Sequence, residues 1–322
     1  MNVSKLLAAC VIAIGSIAAA GAQTWPAKPV RLVVPYPAGG GVDPVARLVG
    51  QKLAERWKQP VIVDNKPGAS GSIGASYVAH AAPDGLTIMM SATAEVAINQ
   101  FIMEKMSYNP ETDLVPVTLA VRLPFVLVTS PSRPYSTAAE LVAYVKKNPN
   151  KVTYASSGPG TPQHLAAVLL EQLSGVKMIH VPYKGVAPSI ADLLAGHVDI
   201  GFAGLPTALP HIQTAALKAL GVSSKTASAA APKIPPLAAT PGLEGFELNQ
   251  WFGVFVPAGT PDTVVQRIQK DISEVLQMPD VKEALEKQGA QPSGMPTAEF
   301  AAYLKSERKK FENIVKSANI QP

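Results

Sequence analysis

Val30-Arg31-Leu32-Val33-Val34 runs into Pro35-Tyr36-Pro37-Ala38-Gly39-Gly40-Gly41, and Val42-Asp43-Pro44 follows at once. The first five residues are mostly β-branched and stop at a proline, as a short buried strand does. The glycine run supplies a tight turn. Asp43 before Pro44 predicts a helix N-cap with proline at the first helical position, and apolar residues then recur at helical spacing to Trp57. Val61 to Val63 resumes strand. Strand, glycine-rich turn, capped helix and strand in that order predict an α/β layer with a parallel sheet.

The same order recurs along the chain. Leu86 to Met90 is a strand ending at Ser91, Phe125 to Thr129 is strand-like, and the helix Ser136 to Asn148 leads to the strand Val152 to Ala155. A second glycine-rich turn, Ser156 to Gly160, precedes Thr161-Pro162, which repeats the cap-then-proline pattern and opens a helix to Leu173. Ala187-Pro188 opens another helix that stops at Gly196. Val198 to Phe202 and Ala216 to Val222 are strands, Lys225 to Pro241 is a Pro/Ala/Ser-rich connection, and Phe252 to Val256 is a further strand. The end is helical: Thr260 caps Pro261 to Gln277, Asp280 to Gln288 stops at Gly289, and Thr297 opens a helix reaching about Ser317.

The 322 residues carry 28 Lys+Arg and 23 Asp+Glu, a formal charge of +5, without any run of five or six like charges. That leaves no electrostatic footprint for nucleic acid. At 47 % hydrophobic and 16 % charged the chain can bury a large core, which excludes a disordered tail. Lys5, the apolar stretch Leu6 to Ala20 and Ala20-Gly21-Ala22 have the form of a secretory signal cut after Ala22. The apolar stretch is shorter than a membrane span and is broken by Gly15 and Ser16. Cleavage removes Cys10, the one cysteine, and with it disulfides, zinc thiolates and a thiol nucleophile.

Catalytic motifs are missing. G-x-G-x-x-G fails at Pro44, and neither a phosphate-binding G-x-x-x-x-G-K-[ST] nor a G-x-S-x-G elbow occurs. His164, His180, His197 and His211 have no metal-ligand spacing, and no metal or cofactor is expected. His164 does fall in the first turn of the helix after Ser156 to Thr161. What recurs is a glycine-rich turn presenting backbone N–H groups at a helix start, once over Ala38 to Asp43 and once over Ser156 to Thr161. Such ends attract anions. Ser156, Ser157 and Thr161 add hydroxyls, Asn65 to Gly74 with Ser70 and Ser72 is a third polar turn, and Ser91 and Thr93 lie beyond a strand end, where open α/β sheets bind ligands.

Further motifs run in order through the chain: Trp25-Pro26 with Lys28-Pro29, Val34-Pro35-Tyr36-Pro37-Ala38-Gly39-Gly40, Asn65-Lys66-Pro67-Gly68-Ala69, Pro83-Asp84-Gly85, Ser156-Ser157-Gly158, His164-Leu165-Ala166, Val181-Pro182-Tyr183-Lys184-Gly185, Leu193-Leu194-Ala195-Gly196, Pro210-His211-Ile212, and Trp251-Phe252-Gly253 with Pro257-Ala258-Gly259-Thr260-Pro261. In this order the chain resembles the Bug family, the periplasmic solute receptors of tripartite tricarboxylate transporters. The resemblance implies an α/β, periplasmic-binding-protein-like fold of two domains joined by crossing strands, with the ligand in the cleft and delivery to a membrane permease. Residues 23–124 plus 251–322 are expected to form one domain and 125–250 the other. Carried over, the ligand contacts are Tyr36, Ala38, Gly39, Gly40 and Asp43 in the first domain, and Ser156, Ser157, Gly158, Thr161 and His164 in the second. Ser70, Ser91, Thr93 and Tyr183 are weaker transfers. Many relatives carry Asp-Asn where this chain has Ala203-Gly204, so any contact from that aspartate is absent and Ala203 offers apolar surface instead.

The expected protein is therefore a soluble, monomeric, periplasmic receptor without catalysis. It closes over a di-, tri- or aromatic carboxylate, expected to lack an amine unless Asp43 turns inward to receive an ammonium. Two rivals are a ligand-responsive sensor for a two-component system and a secreted hydrolase built on Ser156 or Ser157 with His164. The hydrolase lacks an elbow and a third partner.

Overall fold

The computed structural model describes residues 25–318 and residue 320. The signal segment, the cut after Ala22 and Cys10 lie outside the described residues. β1 (Val30–Val34), α1 (Val42–Trp57) and β2 (Val61–Asn65) form the expected unit, with Val30 opposite Val61 in a parallel pair. α1 lays Val45, Ala46, Val49 and Leu53 into a fully buried cluster with Val30, Leu32 and Val34. The cap differs from expectation. Gly41 holds the N-cap position and Asp43 lies inside the first turn.

A 3₁₀ turn, Ala69–Gly71, leads into α2 (Ser72–Ala79), so part of the expected polar turn is helical. β3 (Thr87–Ser91) lies parallel to β1. A π-helical turn, Ala94–Ile98, and a 3₁₀ turn, Asn99–Phe101, follow it. β4 (Leu114–Thr129) is 16 residues long, far longer than the strand expected from Phe125. Pro116 and Pro124 obscure its beginning, because proline gives no N–H to a ladder. Two register shifts, at Pro116/Thr118 and Leu119/Val121, accommodate the early part.

The second half holds α3 (Ala138–Lys147), β5 (Thr153–Ser156), α4 (Pro162–Ser174), β6 (Ile179–Pro182), α5 (Val186–Ala195), β7 (Ile200–Gly204), α6 (Leu205–Gln213) and β8 (Lys218–Val222). β9 (Asn249–Pro257), α7 (Asp262–Leu276), α8 (Pro279–Lys287), the short β10 (Gln291–Pro292) and α9 (Thr297–Ser317) complete the chain. α6 is not legible in the sequence. Pro206 is tolerated in its first turn, but Pro210 stands inside it and argues against a helix. Thr260 and Thr297 do not cap. Each hydroxyl donates to a distant or turn carbonyl instead, Thr260 to Pro257 O at 2.8 Å and Thr297 to Val117 O at 2.8 Å.

The strand order is β2-β1-β3-β9-β4-β7-β5-β6, with β8 and β10 also on β4. β4 is the crossing element. Leu114 to Pro124 pair antiparallel with β9, and Phe125 to Thr129 pair antiparallel with β7. The largest apolar cluster reaches across it, joining Val33 and Met89 to Leu141, Tyr154 and Leu165, and to Phe300 and Phe311 of α9. Each fully buried Leu or Phe contributes about 1.5–3 kcal/mol over exposure. Among the described residues no helix is long and apolar enough to cross a membrane.

Candidate functional site

A cavity of about 240 Å³ opens where β1, β3 and β5 end. Tyr36, Ser70, Ala92, Thr93, Ala94, Asn99 and Ile102 line it from the first half, and Ser157, Pro159, Gly160, Thr161, Pro162, Gln163 and Val186 from the second, with Gln250 of β9. The strand carboxyl ends of an open sheet are the expected place for a ligand.

The first glycine turn contributes only Tyr36 to this wall. Asp43 folds the rest of the turn back on itself. It is 3 % exposed, and its carboxylate accepts the Gly39 N–H at 2.9 Å, Arg47 Nε at 2.9 Å and Asn65 Nδ2 at 2.9 Å. Burial acts to raise its pKa, but Arg47, the Gly39 N–H and Asn65 outweigh it and hold the pKa down to about 2. The Gly40 N–H is likewise taken, by Pro37 O. Ala38, Gly39, Gly40 and Asp43 thus build a turn beside the cavity and do not line it.

The second turn does face the cavity. Thr161 is the N-cap of α4: its hydroxyl accepts the His164 N–H at 3.5 Å and donates to Gly158 O at 2.7 Å. The first turn of α4 leaves the Gln163 N–H without an intrahelical partner. Ser157 donates to Gln163 Oε1 at 3.1 Å and so orients that amide. Ser156 lies behind, 1 % exposed, with its Oγ 2.6 Å from His180 Nε2 and 3.1 Å from Gly158 N. His164 is also behind the wall. Its Nδ1 accepts the Gly160 N–H at 3.0 Å, and its ring stacks on His180 at 4.0 Å. Burial first and then His180 push its pKa down to about 4, so it stays a neutral acceptor. The serine that meets a histidine is therefore Ser156 with His180, away from the cavity, and not the Ser-His164 pair that a hydrolase was expected to use.

Gly160 faces Ile102 of the other half across the cavity. Its φ is +70°, and a Cβ there would lie 2.5 Å from Ile102 Cδ1 across the cavity. Of the weaker transfers, Ser70 and Thr93 line the wall. The Thr93 hydroxyl is occupied by Trp251, donating to its O at 3.3 Å and accepting from its N at 3.2 Å. Ser91 is fully buried and donates to Gly253 O, tying β3 to β9. Tyr183 donates to Asp192 Oδ2 at 2.6 Å and anchors the loop before Val186. Ala203 pairs with Val126 and lies 1 % exposed in an apolar cluster with Val128 and Leu205, so it offers the cavity no surface.

Sequence reasoning missed Asn99, Ile102, Gln163, Val186, Gln250 and Glu95. Asn99 donates to Ser70 O and Ser72 Oγ, both at 2.9 Å, and its buried Oδ1 has no partner among the described residues. The signal was there in outline: Ala92 to Phe101 follows a strand end without strand or α-helix pattern, and the π-helical turn it forms is a common feature of functional sites. Glu95 stands behind Tyr36, fully buried. Among the cavity-lining residues none is cationic, and among the described residues no group of three His, Cys, Asp or Glu could hold a metal. The wall combines the neutral polar side chains of Tyr36, Ser70, Asn99, Gln163 and Gln250 with the apolar Ile102, Pro159, Pro162 and Val186. Such a wall fits a small ligand with polar ends and a carbon spacer.

Comparisons with known proteins agree with this architecture. Residues 45–320 match the family model described as tripartite tricarboxylate transporter family receptor. Protein BugT of Bordetella pertussis is 34 % identical over 320 residues, 98 % of each chain. Rpa4515 of R. palustris, solved with adipate, superposes with a TM-score of 0.81 at 32 % identity, over 92 % of this chain and 99 % of its own. MatC of Rhodopseudomonas palustris, with bound malate, gives 0.75 at 29 % identity, over 90 % and 100 %. The two-domain α/β fold of periplasmic solute-binding proteins is shared with them, and the chain belongs to the tripartite tricarboxylate transporter receptor family.

Proposed function

We propose that the chain captures a small dicarboxylate without an amine, in the cavity between Tyr36 and Gln163, and delivers it to a membrane permease. The observation that carries this reading is the convergence of neutral polar groups from both halves on one cavity that also has apolar walls. The α4 start adds about 0.3–1 kcal/mol for an anion, and up to about 2 when partly buried. Adipate and malate, held by the two similar proteins, are both amine-free dicarboxylates. A ligand ammonium would meet no ionised acid on the wall, and leaving it unpaired costs several kcal/mol. The domain division at about 124/125 and 250/251 is supported by β4, whose ladder partner changes from β9 to β7 at Pro124/Phe125. Export with a cut after Ala22, action as a monomer and the lack of turnover complete the reading.

A thermal-shift screen tests it, with adipate, malate, succinate and citrate set against aspartate, glutamate and neutral alcohols. A ligand at 100 times its Kd adds about 2.7 kcal/mol of stability. Stabilisation by amine-free acids at concentrations where aspartate does nothing is expected, and the reverse order rejects the reading.

A further inference from the structure

Glu95 presses against the cavity wall from behind, where it meets Tyr36. Its carboxyl is 0 % exposed: Oε1 accepts the Ala92 N–H at 2.7 Å and Oε2 lies 2.8 Å from Tyr36 Oη. The space is made for it. Gly71 has φ +86°, and a Cβ there would lie 2.8 Å from Oε2. Among the described residues, Tyr36 faces the carboxyl and Tyr108 donates to the Glu95 backbone O at 2.5 Å. Arg308 of α9 directs its guanidinium to Val96 O and Pro110 O instead. The segments Ala69–Gly71, Ser72–Ala79 and Asn99–Phe101 bring no ionisable side chain that influences it. A buried carboxylate with no cation is costly, so the neutral acid is favoured. Burial is the largest influence and raises the pKa to about 8, against the opposing pull of the Glu95 and Ala92 N–H groups and Tyr36.

A phenol hydroxyl has one proton to give. We propose that Glu95 is a positioning residue: as a neutral acid it donates from Oε2 to the Tyr36 oxygen and leaves the Tyr36 proton for a ligand carboxylate, whereas as a carboxylate it takes that proton and Tyr36 presents only lone pairs. This rests on the reading that a carboxylate occupies the cavity. Capture then requires the protonated form of Glu95, and the apparent Kd is the intrinsic one divided by the fraction protonated. With half-protonation near pH 8, that fraction falls about tenfold between pH 7 and pH 9. Deprotonated Glu95 turns the same site from a carboxylate acceptor into one suited to a ligand hydroxyl or protonated acid.

The test has a ligand-free and a ligand-bound arm. Infrared difference spectra of wild type against Glu95→Gln, without ligand, are expected to show a neutral-carboxyl band at pH 7 that disappears by pH 10. Lack of that band in the wild type overturns the proposal. Calorimetric titration with adipate and malate from pH 6 to pH 9 is expected to show about tenfold weakening above pH 7, with proton uptake seen as buffer-dependent heat. Glu95→Gln, whose amide donates to Tyr36 at every pH while its oxygen still accepts the Ala92 N–H, should bind as wild type at pH 7 with a flat profile. A flat profile in the wild type overturns the proposal whether or not the variant folds. If neither acid binds at any pH, the carboxylate reading and the ligand half of the proposal fall together, while the infrared band separately decides the state of Glu95.

Discussion

Asp43 has three partners and ties the first glycine turn to α1 and β2, although the sequence pattern reads it as a cap. Its depressed pKa makes a stability statement: the contribution is present above the unfolded value near 3.9 and is lost as pH falls towards 2. Asp43→Asn is expected to cost about 1–2 kcal/mol at pH 7, discounted because Arg47 is half exposed, with the difference closing between pH 4 and pH 2. Denaturant melts at several pH values check this, and adipate binding at pH 7 should be unchanged because the side chain is not on the wall. Thr161 and Ser157 divide differently. Thr161→Ala removes a cap and should cost about 0.5–2 kcal/mol of stability. Ser157→Ala frees only the Gln163 amide, so stability should stay within about 0.5 kcal/mol while binding weakens by about 0.5–1.5 kcal/mol. Melts paired with calorimetry separate the two. Thr161 was legible as a cap because proline follows it, whereas the Ser156–His180 contact was not, since it joins neighbouring strands 24 positions apart.

The element that supplies most of the second half's share of the cavity wall is the turn from Ser157 to Thr161 at the head of α4. His164 holds it by accepting the Gly160 N–H, and Gly160 admits Ile102 from the opposite wall. Gly160→Ala meets two obstacles, a left-handed φ and the Ile102 methyl. The first costs about 1–2 kcal/mol. Melts should therefore show loss of stability in Gly160→Ala that Gly160→Ala with Ile102→Ala does not recover, and calorimetry should show binding weakened in the single variant. Restoration of full wild-type stability by the double change would mean that backbone strain at Gly160 is negligible. Both glycine turns were readable from composition alone. That one folds onto Asp43 while the other faces the cavity was not, because the choice depends on where the N–H groups find partners in space.

For the whole molecule, β4 decides the behaviour. One strand pairs with β9 in its first part and with β7 and β8 in its last, so the change of partner at Pro124/Phe125 is where a hinge is expected. The radius of gyration from solution scattering is expected to fall when adipate is added to saturation. Equal values with and without a ligand that calorimetry shows to bind, and larger values in neither, would mean that capture needs no closure.

The sequence by itself determined the α/β layer, the repeated turn-and-helix starts and the family, because each is written in short-range pattern: β-branched runs, glycines, and caps before proline. It also marked Tyr36, Ser70, Thr93, Ser157 and Thr161, which the cavity brings together. Only the tertiary structure decided that β4 begins at Leu114, that Ala203 lies in the core, and that Glu95 stands behind Tyr36. Those depend on ladder register and on burial between segments far apart in the chain. Tyr36 and Glu95 are 59 positions apart, and nothing in the local pattern of either shows that one will hold the other's hydroxyl.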